Sequence, residues 1–330
     1  MKISVVQFGL GEIGKEITRL VLNQSQYELV GAVEIDESKV DRELSEILDL
    51  PKETGITVTD DPGKVLSDKP DLAFHSTASA VSDTFAQLKK ILESGTNIIS
   101  TSEELSYPYL QNQEKAEELD NIATGNGATL FGTGVNPGFA MDLLPLTFTG
   151  IARELEKITV KRVQNASFRR RALQTKIGVG LSEDEFNQKV RKQGGHVGLL
   201  ESVSLLATGL GWRLDEIKES TEPVIARERV ETDYFTASPG EARGINQTAR
   251  GFVDGKEKIN LNLQMYAGAQ NPVDQINLFG VPEVSLKVPG GIHGDIATPA
   301  IAVNSARKVL EEDPGLLTLL DIYPFLYNFE

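Results

Sequence analysis

Gly9-Leu10-Gly11-Glu12-Ile13-Gly14 constrains this chain more than any other stretch of its sequence. A G-x-G-x-x-G run has structural meaning only where it closes a strand and opens a helix. Here the β-branched run at residues 2–8 (KISVVQF) leads into it, and Ile13, Ile17, Leu20 and Val21 recur after it at helical spacing. The spacing predicts a tight turn at Gly9, backbone open to a pyrophosphate at Gly11, and close helix–strand packing at Gly14. The free N–H groups and positive dipole end of the helix N-terminus complete a phosphate cradle, to which Leu10, Glu12 and Ile13 also belong.

Glu34 closes the next strand-like run, 29–35, about 20 residues past the last motif glycine. An acid at that distance hydrogen-bonds the ribose hydroxyls of a dinucleotide. Asp36 competes for the role. A carboxylate there repels a 2′-phosphate, so NAD is expected over NADP; Lys39 and Arg42 follow closely and soften that preference.

Strand and helix patterns alternate through the first 140 residues. Residues 71–77, 97–100 and 129–132 read as strands, and 84–92 and 113–123 as helices. Such alternation implies right-handed crossovers and a parallel, doubly wound sheet, an α/β Rossmann domain over residues 1–140. The pattern then changes. Residues 158–163, 223–230, 247–253, 259–267 and 284–288 read as strands, 183–193 and 197–208 as helices, and Asp254-Gly255-Lys256 as a hairpin turn. Strands with few crossovers predict an open, largely antiparallel sheet in an α+β domain over residues 141–294. Residues 297–310 are helical again, so 295–330 is expected to return to the Rossmann domain and make the sheet region an insertion.

Composition narrows the chemistry. No Cys is present, which removes thiolate nucleophiles, disulfides and Cys-zinc sites together, and the three His (His75, His196, His293) lie far apart, so no metal is expected. With 33 basic against 48 acidic residues the net charge is −15, which disfavours nucleic acid as a partner. No apolar run reaches the ~18 residues of a membrane span. Residues 1–9 lack a basic leader, so a cytoplasmic location is the default expectation.

Ligands of open α/β sheets lie beyond the carboxyl ends of the strands. Three segments end there: His75-Ser76-Thr77-Ala78, Ser100-Thr101-Ser102-Glu103-Glu104, and Gly134-Val135-Asn136-Pro137-Gly138. Ser76, Thr77 and Ala78 are expected beside the pyrophosphate and ribose, and Thr101, Asn136 and Pro137 near a nicotinamide. His75 reads as a packed or solvated histidine more readily than as a catalyst. Arg169-Arg170-Arg171 is a basic cluster that reads either as a carboxylate-binding fork or as a solvated turn. His196 precedes an apolar helix and reads either as a packing residue or as a substrate contact. Trp212 reads as core.

The motif segments VVQFGLGEIG, IISTSEELSYP, FGTGVNPGFAMDLLP, GHVGLLESVSLLATGLGW and GDIATPAIAVNSA resemble those of the 2,4-diaminopentanoate dehydrogenases and their native amine dehydrogenase relatives, from one end of the chain to the other. A remoter similarity is to the dihydrodipicolinate reductases, but their His pair followed by Lys and their Ser-Gly-Thr anion loop are absent. The resemblance implies a homodimer that carries out NAD(P)-dependent, reversible deamination of a primary amine to a ketone and ammonium. It places the catalytic carboxylate in Glu103-Glu104, with Glu104 favoured. Phe139, Arg169 and His196 are the residues expected on the substrate. The chemistry itself asks for a base beside the reacting carbon, and a carboxylate is the group these segments offer. Acids also suit a helix start, which gives the Glu pair a purely structural reading. Two other functions fit the motifs: a non-catalytic regulatory protein that binds a dinucleotide, and an imine reductase of the dihydrodipicolinate reductase kind.

Overall fold

The computed structural model describes residues 2–322 and divides into two compact units. One comprises the residues up to Val135 together with those from Gly294 onward, and the other runs from Asn136 to His293. Residues 323–330, part of the expected C-terminal return, lie outside the described residues.

The first unit is built on six parallel strands in the order Gly315–Leu317, Thr129–Gly132, Asn97–Ser100, Leu72–His75, Ile3–Phe8, Tyr27–Val33. The first strand of the chain thus has later strands on both sides, and the crevice between diverging connections opens at the carboxyl ends of Ile3–Phe8 and Leu72–His75. Helix Glu12–Leu22 buries Gly14, Ile17, Thr18 and Val21, and Val81–Glu93 buries Val81, Thr84, Leu88, Ile91 and Leu92. These are the three-and-four spacings read from the sequence, and they deliver one apolar stripe per helix to the sheet. The core that Val81–Glu93 closes includes Val6, Phe8, Ala73, Leu88, Ile98 and Leu130. The short strand Gly315–Leu317 gave no signal of its own in the sequence.

The second unit carries a six-stranded mixed sheet in the order Val284–Pro289, Val273–Val281, Glu154–Asn165, Lys256–Tyr266, Ala242–Val253, Glu216–Ile225. Every pairing is antiparallel except that of Glu154–Asn165 with Lys256–Tyr266. The Asp254–Gly255 turn has positive φ at both residues, 50° and 69°, as a tight hairpin requires. Two strands depart from the sequence reading. Glu216–Ile225 lies earlier than the 223–230 expected, because as an edge strand (EIKESTEPVI) it buries fully only Thr221 and shows no apolar alternation. Val273–Val281 was not expected at all, because Asp274 interrupts the inward row that Ile276 and Leu278 continue.

Ile259, Leu261 and Leu263 alternate as expected and are fully buried within this unit, on the side of the sheet where helix Leu199–Gly209 packs. The opposite face is polar and laced by side-chain amides. Asn262 donates to Asn246 (2.8 Å) and Thr248 (2.9 Å), Gln264 donates to Asn262 (2.9 Å), and Asn277 donates to Thr159 (3.1 Å).

Candidate active site

The glycine loop of the first unit is fixed from several directions. Gly9 has φ +83°, and a Cβ there would stand 2.5 Å from the Ser76 carbonyl oxygen. At Gly14 a Cβ would meet the Gly9 carbonyl oxygen at 2.0 Å. The fold therefore demands both glycines. Gly11 differs: its φ is −68°, and no protein atom lies within 4 Å of where a Cβ would be. Nothing in the fold requires a glycine at that point, and the space beside it is open. Open backbone at the N-terminus of an eleven-residue helix fits a pyrophosphate.

Beneath the loop lies Gln7, which is buried. Its Nε2 donates to the carbonyls of Phe8 and Gly9 and to the Ser76 hydroxyl, each at 3.0 Å. Glu34 holds the loop from the side: one carboxylate oxygen accepts the Leu10 N–H at 2.7 Å, and the other accepts the N–H groups of Ile35 (2.8 Å) and Asp36 (3.3 Å). Burial pushes the Glu34 carboxyl up, but these three N–H groups and the nearby Lys39 ammonium outweigh it and keep the acid below its ordinary range. Asp36 accepts from the Ser38 hydroxyl and N–H and lies 3.1 Å from the Lys39 ammonium, which lowers it to about 2. The Leu10 side chain packs inward with Ala32, Leu44 and Val58, so only its backbone serves the loop. Ile35, which the sequence reading passed over, leaves an apolar side chain 77 % exposed between Glu34 and Asp36.

His75 is fully buried and saturated. Nδ1 accepts from the Ser100 hydroxyl (2.9 Å), and Nε2 donates to Gln87 Oε1 (3.0 Å), with Thr77 Oγ1 also 3.0 Å away. Burial lowers it to about 4. A neutral ring with both nitrogens engaged ties the ends of two strands together and is not a proton carrier. Thr101 contributes its N–H to the His75 carbonyl at 2.9 Å.

Glu103–Ser106 forms a 3-10 turn beyond the strand Asn97–Ser100. Glu104 turns one carboxylate oxygen, Oε2, to the Val81 N–H at 2.8 Å and the Asn112 amide at 3.0 Å. Val81 is the first residue of a helix, so this oxygen caps it. The other oxygen, Oε1, takes no hydrogen bond from the described residues. Asn112 was not anticipated.

In the second unit the strand Glu154–Asn165 places Arg162 and Gln164 in its buried row with Ile158 and Val160. Arg162 donates to Asp274 (2.6 Å), its register partner on the neighbouring strand, and to the Ile292 carbonyl (2.6 Å). Gln164 lies beside Asp274 without reaching hydrogen-bond geometry, which leaves its Nε2 buried and without a hydrogen bond among the described residues. Arg169 is buried and Arg171 exposed, so only part of the cluster is solvated. His196 lies within electrostatic reach of this group. Burial, then the charges of Lys176, Arg162 and Arg169, push its imidazole down to about 3, and its Nδ1 is buried without a partner. Phe139 is half-buried. Asn136 is buried with an unpartnered Oδ1 and Pro137 lies beside it, both also in this unit. Asp142, fully buried, accepts the Gly138 N–H (2.9 Å) and the Ser202 hydroxyl (2.8 Å) and so anchors the loop that follows Pro137. The sequence carried one signal for this cluster, a charged residue in the apolar row of a strand, at Arg162; Asp274 gave none because its strand was not read.

Among the described residues no group of three or more metal-ligating side chains comes together, and no helix is long and apolar enough to cross a membrane.

Comparison with known proteins agrees with this geometry. Residues 139–325 match the 2,4-diaminopentanoate dehydrogenase C-terminal domain, and residues 1–119 match the dihydrodipicolinate reductase N-terminus. The chain is 30% identical to the 2,4-diaminopentanoate dehydrogenase of Acetoanaerobium sticklandii, over 97% of this chain and 93% of that one. It is 24% identical to an amine dehydrogenase of Streptomyces virginiae, over 97% and 96% of the two chains. Its fold superposes on that of an amine dehydrogenase from Mycobacterium smegmatis with a TM-score of 0.89, covering 99% and 98% of the chains at 24% identity.

Proposed function

The chain belongs to the 2,4-diaminopentanoate dehydrogenase family and is an NAD(P)-dependent oxidoreductase acting on amines; on that premise we propose that its substrate is a short amine bearing a carboxylate, of the 2,4-diaminopentanoate kind. One observation carries this reading. Arg162, Arg169 and Lys176 lie within electrostatic reach of His196 in the second unit, Arg162 and Arg169 are buried, and Gln164, on the strand of Arg162, keeps a buried amide nitrogen without a hydrogen bond among the described residues. Buried donors without acceptors are costly, and a carboxylate supplies the acceptor. Phe139, Asn136 and Pro137 are assigned to the same reaction, Phe139 on the substrate and the other two toward the nicotinamide.

The proposed cofactor is NAD, with NADP accepted less well. Glu34 and Asp36 put two carboxylates at the ribose end, and Lys39, 3.1 Å from Asp36 and 3.6 Å from Glu34, offsets part of their charge. The loop from Gly9 to Gly14 holds the phosphates, Ile35 lies against the adenine, and Ser76, Thr77, Ala78 and Thr101 line the path between.

When bound, the nicotinamide accepts the hydride that leaves the amine-bearing carbon. The remaining steps are proton transfers, and Glu104 is their proposed centre. Val81 and Asn112 fix Oε2, which leaves Oε1 to act. It takes a proton from the substrate ammonium, so that the nitrogen lone pair can expel the hydride and form an iminium. It sheds that proton to solvent and then takes one from the water that adds to the iminium carbon. It returns this proton to nitrogen and accepts the hydroxyl proton as ammonia departs, which leaves the ketone. In the reverse direction the same carboxylate holds ammonium.

The assembly proposed is a two-fold homodimer. The apolar residues of the second sheet are spent inside the unit, so the polar Asn/Gln/Thr face, not a greasy one, is the surface assigned to the partner. Light scattering at micromolar concentration should give about twice 36.0 kDa. A cytoplasmic location is part of the same proposal.

The decisive experiment compares Glu104→Gln with Glu103→Gln during turnover of 2,4-diaminopentanoate with NAD. Glutamine keeps the contacts to Val81 and Asn112 but cannot carry the proton. Loss of general acid–base catalysis is worth ~10²–10⁴-fold in kcat. Glu104→Gln should fall by that much with unchanged NADH affinity, while Glu103→Gln stays within about threefold, well below the acid–base range. The opposite pattern transfers the role to Glu103, and two active variants dismiss carboxylate catalysis at this turn.

A further inference from the structure

The strand Ala242–Val253 directs Ile245, Gln247, Ala249 and Gly251 into the core of the second unit. Gln247 is 0 % exposed, and an amide in an apolar row is costly unless all of its hydrogen bonds are made. Nearly all of its partners come from one short loop. Nε2 donates to the carbonyls of Gly194 (2.9 Å) and His196 (3.0 Å), and Oε1 accepts the His196 N–H (2.8 Å). A further contact, Nε2 to Glu219 at 2.8 Å, fixes the amide itself. Thr221, the register partner of Gln247 on the edge strand, adds a hydroxyl to the Gly194 carbonyl at 3.2 Å. Between the two anchored residues, Gly195 has φ +77°, and a Cβ there would sit 2.8 Å from both Gln247 Oε1 and Thr221 Oγ1. The loop backbone therefore rests directly on these two side chains.

What the loop presents is His196. Its imidazole feels the charges of Lys176, Arg162 and Arg169, while its backbone N–H and carbonyl are both held by one buried amide. A loop with positive φ at Gly194, Gly195 and Gly198 has little stiffness of its own. We propose that Gln247 is a positioning residue that sets the place of His196 and, through it, the enzyme's selectivity for substrates carrying a carboxylate. The proposal rests on the reading that this cluster receives that carboxylate.

The test measures selectivity and not activity alone. Reductive amination of 4-oxopentanoate and of 2-pentanone, with ammonium and NADH, gives two values of kcat/KM whose ratio reports recognition of the carboxylate. Gln247→Leu keeps the bulk and removes the hydrogen bonds. Net hydrogen bonds contribute about 1 kcal/mol each, so a tenfold fall in the ratio is expected, mostly through KM for the acid. His196→Leu should lower the same ratio, and the double variant should fall no further than His196→Leu. NADH binding, a property of the other unit, reports whether each variant is folded; should Gln247→Leu fail to fold, Gln247→Met and Thr221→Val answer the same question. If Gln247→Leu leaves the ratio within twofold while His196→Leu lowers it, the positioning role is wrong and the carboxylate reading survives. If Gln247→Leu lowers both kcat/KM values alike, its role is general packing. If His196→Leu leaves the ratio unchanged, the carboxylate reading falls and the inference falls with it.

Discussion

Each unit of the molecule rests a glycine loop on a buried glutamine, Gln7 in one and Gln247 in the other, and each holds a histidine near that loop. The two histidines are used in opposite ways. His75 has both ring nitrogens bonded, to Ser100 and to Gln87. His196 has its backbone held as firmly, yet its Nδ1 is buried with nothing to bond. A saturated polar group closes a structure; an unsatisfied one beside three cations waits for a ligand. The glycines divide in the same way. Gly195 is demanded by contacts within the fold, Gly11 by a space that the fold leaves open.

The comparison breaks most sharply at the glycines. Gly11→Val should cost about a hundredfold or more in NADH affinity, roughly 3 kcal/mol, because the new side chain fills the pyrophosphate's space. Its melting temperature should stay at the parent value, since no protein atom is displaced. Gly195→Ala should do the reverse, lowering the melting temperature with NADH affinity intact. Equal thermal losses in both variants would erase the distinction between a glycine kept for a ligand and one kept for the fold.

An effect of comparable size is expected from acid. His75 titrates near 6.5 when unfolded and near 4 in the fold. Between those values the unfolded chain binds a proton that the folded chain refuses. The stabilisation is therefore complete above pH 6.5 and is lost as the pH falls toward 4, by about 3 kcal/mol. Urea titrations at pH 7 and pH 5 on the parent and His75→Gln should show a steeper loss in the parent. Identical slopes would mean that His75 is protonated at no cost.

The smallest effect sharpens the parallel between the two amides. Gln7→Leu should weaken NADH binding about tenfold, on the same hydrogen-bond arithmetic as for Gln247, and leave the ratio for acid over neutral substrate untouched. A change in that ratio would mean that the two clasps are not independent.

The first unit was legible in the sequence and the second only in outline, for a physical reason. The turn, the helix start and the ribose acid are consecutive along the chain, so one short motif with Glu34 describes them. The charged cluster of the second unit is made at long range: Arg162 meets Asp274 112 residues away, and Gln247 meets His196 51 residues away. Local pattern registers such residues only as faults in an apolar row. Arg169 shows the limit: its sequence left a fork and a solvated turn equally open, and burial speaks against solvation for that residue alone. Ile259, Leu261 and Leu263 show the same limit, since their alternation marks an apolar face without saying that a helix of the same unit covers it.

The strand Gly315–Leu317, which completes the first sheet beside Thr129–Phe131, gives synthesis an order. Five strands leave the ribosome early, with the glycine loop and Glu34 already among them. The second unit, from Asn136 to His293, is then made before the last strand arrives, which takes roughly 10–30 s at ordinary translation rates. Throughout that time Thr129–Gly132 is a bare sheet edge, open to pairing with a neighbouring nascent chain. A polypeptide halted before Gly315 would thus carry the whole dinucleotide fingerprint and still present a sticky rim.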